Sequence, residues 1–218
     1  MKESNHLPKK TLLFDLDGTI LDTIPGITDS FHYAFNKLGI TYPDSGIREF
    51  IGPPLAYSFS KIFTDEAEIK RGTETYREHY TTIGMYNCAP YEGVPEALLE
   101  LKRRGYKLYV CTSKPTPLAL VLLEKFDLLK LFIEVYGAED DSQRGTKTGV
   151  LSYALSHSGE KKEDSLMIGD TLWDKEGADN NGVDFGAVLY GFGSRDTIDF
   201  PTNYFIVEKA LDILNFLP

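Results

Sequence analysis

The sequence predicts an α/β fold, a parallel sheet covered on both faces by helices, with one helical insertion. Three observations carry this expectation. Short apolar runs rich in β-branched, aromatic and leucine residues recur along the chain and end in polar or glycine-containing turns. Amphipathic helical patterns separate most of them, which implies βαβ units. One stretch, residues 24–89, breaks the alternation and carries helical patterns without a convincing strand.

The first strand is expected over 11–16 (TLLFDL). In the insertion, Ile27, Phe31, Ala34, Phe35 and Leu38 make an apolar helical face that stops at Gly39. Two short helices are expected over 47–51 and 55–63, broken at Gly52-Pro53-Pro54, and a longer one over 66–82. Beyond the insertion, Val94, Ala97, Leu98 and Leu101 share a helix face that Gly105 ends. Strands are expected over 107–111, 133–137, 165–168, 185–190 and 204–207. Helices are expected over 117–126, 148–156, 175–181 and 209–216. The domain expectation is therefore an α/β core from residues 1–23 and 90–218, with 24–89 as a separate helical domain.

Composition narrows the function. The 218 residues are 42% hydrophobic and 26% charged, enough for a packed core. The net charge of −10 argues against a nucleic-acid polymer or an anionic membrane as partner, because the long-range field repels phosphates. A small phosphorylated substrate stays compatible if a local cation overturns that field. The polar opening, residues 1–10, has no apolar segment of signal-peptide length, and no run approaches the ~20 apolar residues of a membrane span. A cytoplasmic protein is expected. The two cysteines, Cys88 and Cys111, make no disulfide framework. Cys111 reads as a small buried hydrophobe, since no arginine-bearing phosphate loop follows it.

Four places carry chemistry. Asp15 and Asp17 lie two apart where an apolar strand ends, so in extended chain they point to one side. Ligands of open parallel sheets bind at such strand ends, and adjacent carboxylates either raise a pKa or share a cation. A solvated Asp-Gly turn is the other reading of this fragment. Asp170 ends a second strand, with Asp174 four residues on; alone, Asp170 also reads as a helix N-cap. Two acidic strand ends offer the hard oxygen ligands that Mg²⁺ takes. Thr112 and Ser113 place hydroxyls at the tip of another strand, where ordinary turn residues also occur. Lys147 opens a helix, where the macrodipole disfavours positive charge, so an anion facing it would account for it as well as a surface position does.

The order Asp15-Leu16-Asp17-Gly18-Thr19, Thr112, Lys147, Gly169-Asp170-Thr171-Leu172-Trp173-Asp174 resembles the four-motif pattern of the haloacid dehalogenase superfamily. The resemblance covers nearly the whole chain. It implies a Rossmann-like parallel core with an α-helical cap inserted after the first strand. It implies a Mg²⁺-dependent phosphatase with Asp15 as nucleophile and Asp17 as general acid and then base. Asp15 and Asp170 would bind Mg²⁺ by carboxylate and Asp17 by its carbonyl, with Asp174 holding the water shell or Lys147. Gly18, Thr112, Ser113 and Lys147 would bind the phosphoryl group. The run Phe50-Ile51-Gly52-Pro53-Pro54-Leu55, together with 188–193, is similar to the phosphoglycolate phosphatase-like and 5′-nucleotidase-like branch. Phosphoglycolate or a nucleoside 5′-monophosphate is the substrate this implies. Thr148 follows Lys147 where many relatives have proline, and Ser113 stands where many have asparagine. Arg48, Gly52 and Pro53 are the cap residues expected to meet substrate; a surface arginine and a simple helix break is the competing account.

Three rivals share part of the pattern. A β-phosphoglucomutase-like mutase shares all four motifs. A receiver-type signalling domain also groups acidic residues, Thr and Lys around Mg²⁺, but its phosphorylated Asp lies on a later strand and it has no such insertion. A dinucleotide-binding reading of Gly191-Phe192-Gly193 lacks the third glycine and comes too late in the chain.

Overall fold

The structure is a computed structural model and describes residues 9–42, 44–139, 143–198 and 202–218. The chain divides into two compact units, Thr23–Ala89 and the remainder.

The larger unit is built on a six-stranded parallel sheet in the order β5-β4-β1-β6-β7-β8. Its strands are β1 (Thr11–Phe14), β4 (Lys107–Pro115), β5 (Glu134–Ala138), β6 (Ser165–Gly169), β7 (Asp184–Val188) and β8 (Phe205–Val207). The short β2 (Leu21–Asp22) and β3 (Ala89–Pro90) lie where the chain leaves and re-enters this unit. β1 is central and wholly buried, as its unbroken apolar run requires of a strand covered on both faces. Phe14 is level with Val110 of β4 on one side and Ile168 of β6 on the other. The strand order reverses around β1, and the carboxyl ends flanking such a point form a ligand crevice. Asp15, Thr112 and Asp170 sit at that edge.

Period-2 alternation sends Leu13, Tyr109, Cys111, Met167 and Phe185 to one face. There they form a core with Val150, Leu151 and Ala154 of α6 (Lys147–Ser158) and Ala178 of α7 (Leu172–Asn181). Leu12, Phe14, Leu108, Val110, Leu166 and Ile168 have the opposite parity and are equally buried. The remaining helices of this unit are α4 (Val94–Arg103), α5 (Thr116–Lys125) and the short α8 (Arg195–Ile198). Several expected bounds shift here, among them β1, which ends at Phe14 rather than 16, and β7, which ends at Val188 rather than 190. α7 starts at Leu172 rather than 175, because Asp174 closes a cap on Thr171. β4 runs on to Pro115, because the residue before a proline is steered to extended backbone. The helix expected over 209–216 is a 3₁₀ segment, Ala210–Asn215.

The smaller unit holds α1 (Ile24–Leu38), α2 (Leu55–Ser60) and α3 (Glu66–Thr82), with 3₁₀ turns at Asp44–Phe50 and Gly84–Tyr86. Gly39 ends α1 in the left-handed conformation, and Asp65 caps α3 by accepting from the Glu68 N–H. Its core is aromatic. The Phe31 ring lies 4.7 Å from Tyr76, 5.4 Å from Phe50 and 5.7 Å from Phe59, centroid to centroid. Gly52 and Pro53 lie in the bend before α2, with Gly52 at φ +103°. The Arg48 side chain lies outside the described residues. Phe31→Ala is expected to destabilise this unit by about 3–5 kcal/mol, measured as a lowered denaturant midpoint.

Candidate active site

Asp15 is the first residue past β1, and its N–H continues the ladder by donating to the Ile168 carbonyl at 2.9 Å. Its Oδ1 accepts from the Leu16 N–H at 2.7 Å and meets the Lys147 ammonium at 2.7 Å. Asp15 is buried, and its carboxyl is pushed up to about 7 by that burial. Lys147 opposes the shift, whereas Asp174 and Asp17 reinforce it.

Lys147 is the first residue of α6, whose N-cap Thr146 accepts from the Gly149 N–H at 3.2 Å. Its ammonium also lies 2.8 Å from Asp174 Oδ1 and donates to the Cys111 carbonyl at 3.2 Å. Burial opposes the charge on Lys147, but Asp15 and Asp174 outweigh it and raise its pKa above the usual lysine value. Asp174 has a second contact: its Oδ2 accepts from the Thr171 N–H and hydroxyl at 3.0 and 2.7 Å, closing the first turn of α7.

Asp170, at the tip of β6, is fully buried. Oδ1 accepts from the Thr19 hydroxyl at 2.8 Å and Oδ2 from the Phe192 N–H at 2.7 Å. Burial raises its pKa well above the usual carboxylate range, and Asp174 and Asp15 add to the rise. Gly18 has φ +88°, and a Cβ there would stand 2.2 Å from Asp170 Oδ2. The turn and the space both require glycine. The Gly18 N–H donates to the Leu21 carbonyl at 2.9 Å, so within the chain Gly18 contributes room rather than a free donor.

Asp17 pairs with Lys114, whose Nζ reaches its two carboxylate oxygens at 2.7 and 3.0 Å. Thr112 is buried, and its Oγ1 accepts from the Lys114 N–H at 3.2 Å. Ser113 beside it is exposed. The Cys111 thiol is held neutral, its pKa pushed up to about 12 by burial. The structure thus gathers Asp15, Asp17, Thr112, Lys147, Asp170 and Asp174 at the carboxyl edge of one sheet. Gly52 and Pro53 belong to the other unit.

Sequence reasoning passed over Lys114, Thr19, Thr171 and the Phe192 N–H. A signal existed for two of them. Lys114 has the same parity as Thr112, as Asp17 has with Asp15. Thr171-Leu172-Trp173-Asp174 has the spacing of a reciprocal cap.

A family model described as haloacid dehalogenase-like hydrolase matches residues 12–188, a span holding every carboxylate and lysine of this cluster. The chain belongs to the haloacid dehalogenase-like hydrolases. It is 41% identical to a 5′-nucleotidase of Pseudomonas aeruginosa, over 88% of this chain and 89% of that one. It is 33% identical to a tyrosine-protein kinase of Mycobacterium tuberculosis, over 91% of this chain and 68% of that one. A solved haloacid dehalogenase-like family hydrolase of Streptococcus pneumoniae is similar with a TM-score of 0.91 at 31% identity, covering 96% of this chain and 99% of that one.

In this haloacid dehalogenase-like hydrolase, three carboxylates of the site, Asp15, Asp17 and Asp174, meet the ammonium groups of Lys114 and Lys147, and Asp170 accepts from Thr19 and Phe192. One oxygen from each of Asp15, Asp170 and Asp174 lies within 4.8 Å of the others. Burial raises the pKa values of Asp15 and Asp170, and repulsion between carboxylates this close adds to the rise. Each carboxylate oxygen has two acceptor positions, so the contacts from Thr19 and Phe192 leave Asp170 able to bind an ion. The cluster suits a hard divalent cation. The sign of the pH effect follows. A carboxyl whose pKa is about 7 folded, against an ordinary 3.8, takes up a proton on folding between those values. Its contribution to stability is greatest below the ordinary value and falls as pH rises to about 7. A divalent cation offsets the repulsion between the ionised groups. The rise in melting temperature on adding the cation is therefore expected to be larger at about pH 8 than at about pH 5.5, measured by differential scanning fluorimetry.

Proposed function

We propose that this hydrolase is a Mg²⁺-dependent phosphatase that passes the phosphoryl group of a small phosphomonoester to Asp15 and then to water. The observation that carries this reading is the placement of Asp15. One carboxylate oxygen is anchored by Lys147 and the Leu16 N–H, a second carboxylate stands two residues away, and the acidic cluster surrounds it. Its Oδ2 has no hydrogen-bond partner among the described residues, which leaves it for the phosphorus.

Asp15 and Asp170 would hold Mg²⁺ by carboxylate and Asp17 by its backbone carbonyl, while Asp174 keeps Lys147 in place. When bound, the ion neutralises charge on the phosphate oxygens and so lets a carboxylate approach a dianion. The chain's own groups do the rest. Lys147, Thr112 and Ser113 hold the phosphoryl oxygens. Asp15 Oδ2 attacks phosphorus, and the bond to the ester oxygen breaks as Asp17 gives that oxygen its proton. The product is an aspartyl-phosphate and a free alcohol. Asp17, now ionised, takes a proton from water, the resulting oxygen attacks phosphorus, and the Asp15 carboxylate leaves. Two modest steps replace one very slow hydrolysis.

The relative named 5′-nucleotidase supports a nucleoside 5′-monophosphate as substrate, with phosphoglycolate the second member of the class. Gly52 and Pro53 of the smaller unit are proposed to meet the substrate's organic part, with Arg48. The reading is tested by phosphate release from nucleoside 5′-monophosphates, phosphoglycolate, sugar phosphates and pyrophosphate. Turnover is expected with Mg²⁺, without a bisphosphate activator, and to stop with chelator. An absolute need for a bisphosphate would assign a mutase instead. Asp15→Asn is expected to lower kcat by at least about 10³-fold with the fold retained, as read by circular dichroism, since no covalent intermediate forms on an amide. Near-normal turnover by that variant would defeat the mechanism.

A further inference from the structure

Lys114 is held by an irregularity in the sheet. Along the β4–β5 pair, Thr112 is level with Gly137 and Pro115 with Ala138, so Ser113 and Lys114 have no counterparts on β5. Extra residues of this kind bend a strand and re-aim side chains, and they recur beside active sites. Several contacts fix this one. The Lys114 N–H donates to Thr112 Oγ1 at 3.2 Å, and the Gly137 N–H donates to Thr116 Oγ1 at 3.1 Å. Gly137 also lets the bulged strand pass close, since a Cβ there would stand 2.5 Å from the Lys114 carbonyl oxygen.

The bulge turns a long cationic side chain inward. The Lys114 side chain is only 4% exposed and its ammonium grips both oxygens of Asp17, whose side chain is 20% exposed. Among the described residues no other donor reaches that carboxylate. Lys147 meets Asp15 and Asp174 instead, so the two lysines divide three of the four acids between them, and Asp170 takes the Thr19 hydroxyl and the Phe192 N–H. A carboxylate that must face a departing ester oxygen gains from being fixed in direction, since misplacement by about 1 Å can cost 10²-fold in rate.

We propose that Lys114 is a positioning residue that sets the direction of the Asp17 carboxylate for proton transfer to the leaving oxygen. The inference rests on Asp17 being the acid of the reaction. It differs from a phosphate-binding role for Lys114, which would affect every substrate alike.

A leaving-group series separates these cases. The wild type, Lys114→Met, Lys114→Arg and Asp17→Asn are compared on dinitrophenyl, nitrophenyl, phenyl and alkyl phosphates with Mg²⁺. The readout is kcat/KM, which stops at departure of the leaving group and excludes the later water step. Dinitrophenolate leaves without protonation, whereas an alkoxide does not. Asp17→Asn is expected to lose most on phenyl and alkyl phosphates and little on dinitrophenyl phosphate. Lys114→Met should follow the same slope, losing at least about tenfold on phenyl phosphate and under about threefold on dinitrophenyl phosphate. Retained turnover of the latter also shows that the fold survives. Lys114→Arg keeps the charge and should recover part of the loss. If Asp17→Asn shows the slope but Lys114→Met loses equally on all four substrates, or loses nothing, the positioning role is overturned while the acid assignment stands. If Asp17→Asn itself loses equally on all four, the acid assignment fails and the positioning role fails with it.

Discussion

One buried ammonium group organises this protein. Lys147 sits in the interior with its charge intact, and burying an unpaired charge costs several kcal/mol. It is tolerated because three acceptors from three elements converge on it: Asp15 after β1, the Cys111 carbonyl in β4 and Asp174 in α7. The contact works in both directions. Asp15 and Asp174 are buried as well, and without Lys147 they would repel each other unopposed. α6 must therefore begin where the carboxyl edge of the sheet ends, and α7 must cap itself so that Asp174 faces that point.

This arrangement also resolves a conflict in the composition. A chain with a net charge of −10 repels the dianions on which a phosphatase acts. The site does not moderate that field by dispersing its acids. It concentrates them, draws two lysines inward, and leaves a deficit of positive charge that an ion can fill. The family match places this cluster within a known hydrolase scaffold. The acidic exterior keeps other anions at a distance, and the local cations act only at short range, inside a poorly solvated crevice where they are strongest.

Much of this was legible in the sequence, and the parts that were not share a cause. Buried strands such as β1 announce themselves by unbroken apolar runs, and α3 spans the residues that its polar composition and pattern indicate. Asp15, Thr112 and Asp170 follow from a rule about strand ends that needs no coordinates, and Lys147 from its unfavourable place at a helix start. Most of what escaped at the site depends on partners distant in the chain. Lys114 shares the parity of Thr112, but its turn toward Asp17 depends on the register that β5 imposes on β4. The Phe192 N–H reaches Asp170 because a loop after β7 folds back across the sheet edge. The last segment has helical periodicity yet forms 3₁₀ turns, and periodicity over so few residues does not distinguish the two geometries.

The loop after β7 has a further consequence. A Cβ at Gly191 would fall 2.5 Å from Asp170 Oδ2, and one at Gly193 would fall 1.8 Å from the Asp170 carbonyl oxygen. With Gly18 on the remaining side, Asp170 is enclosed by bare backbone on several flanks. A glutamate at 170, one methylene longer, finds no slack into which to fold. The depth at which an ion would rest is thus set by main-chain packing and not by choice of acid.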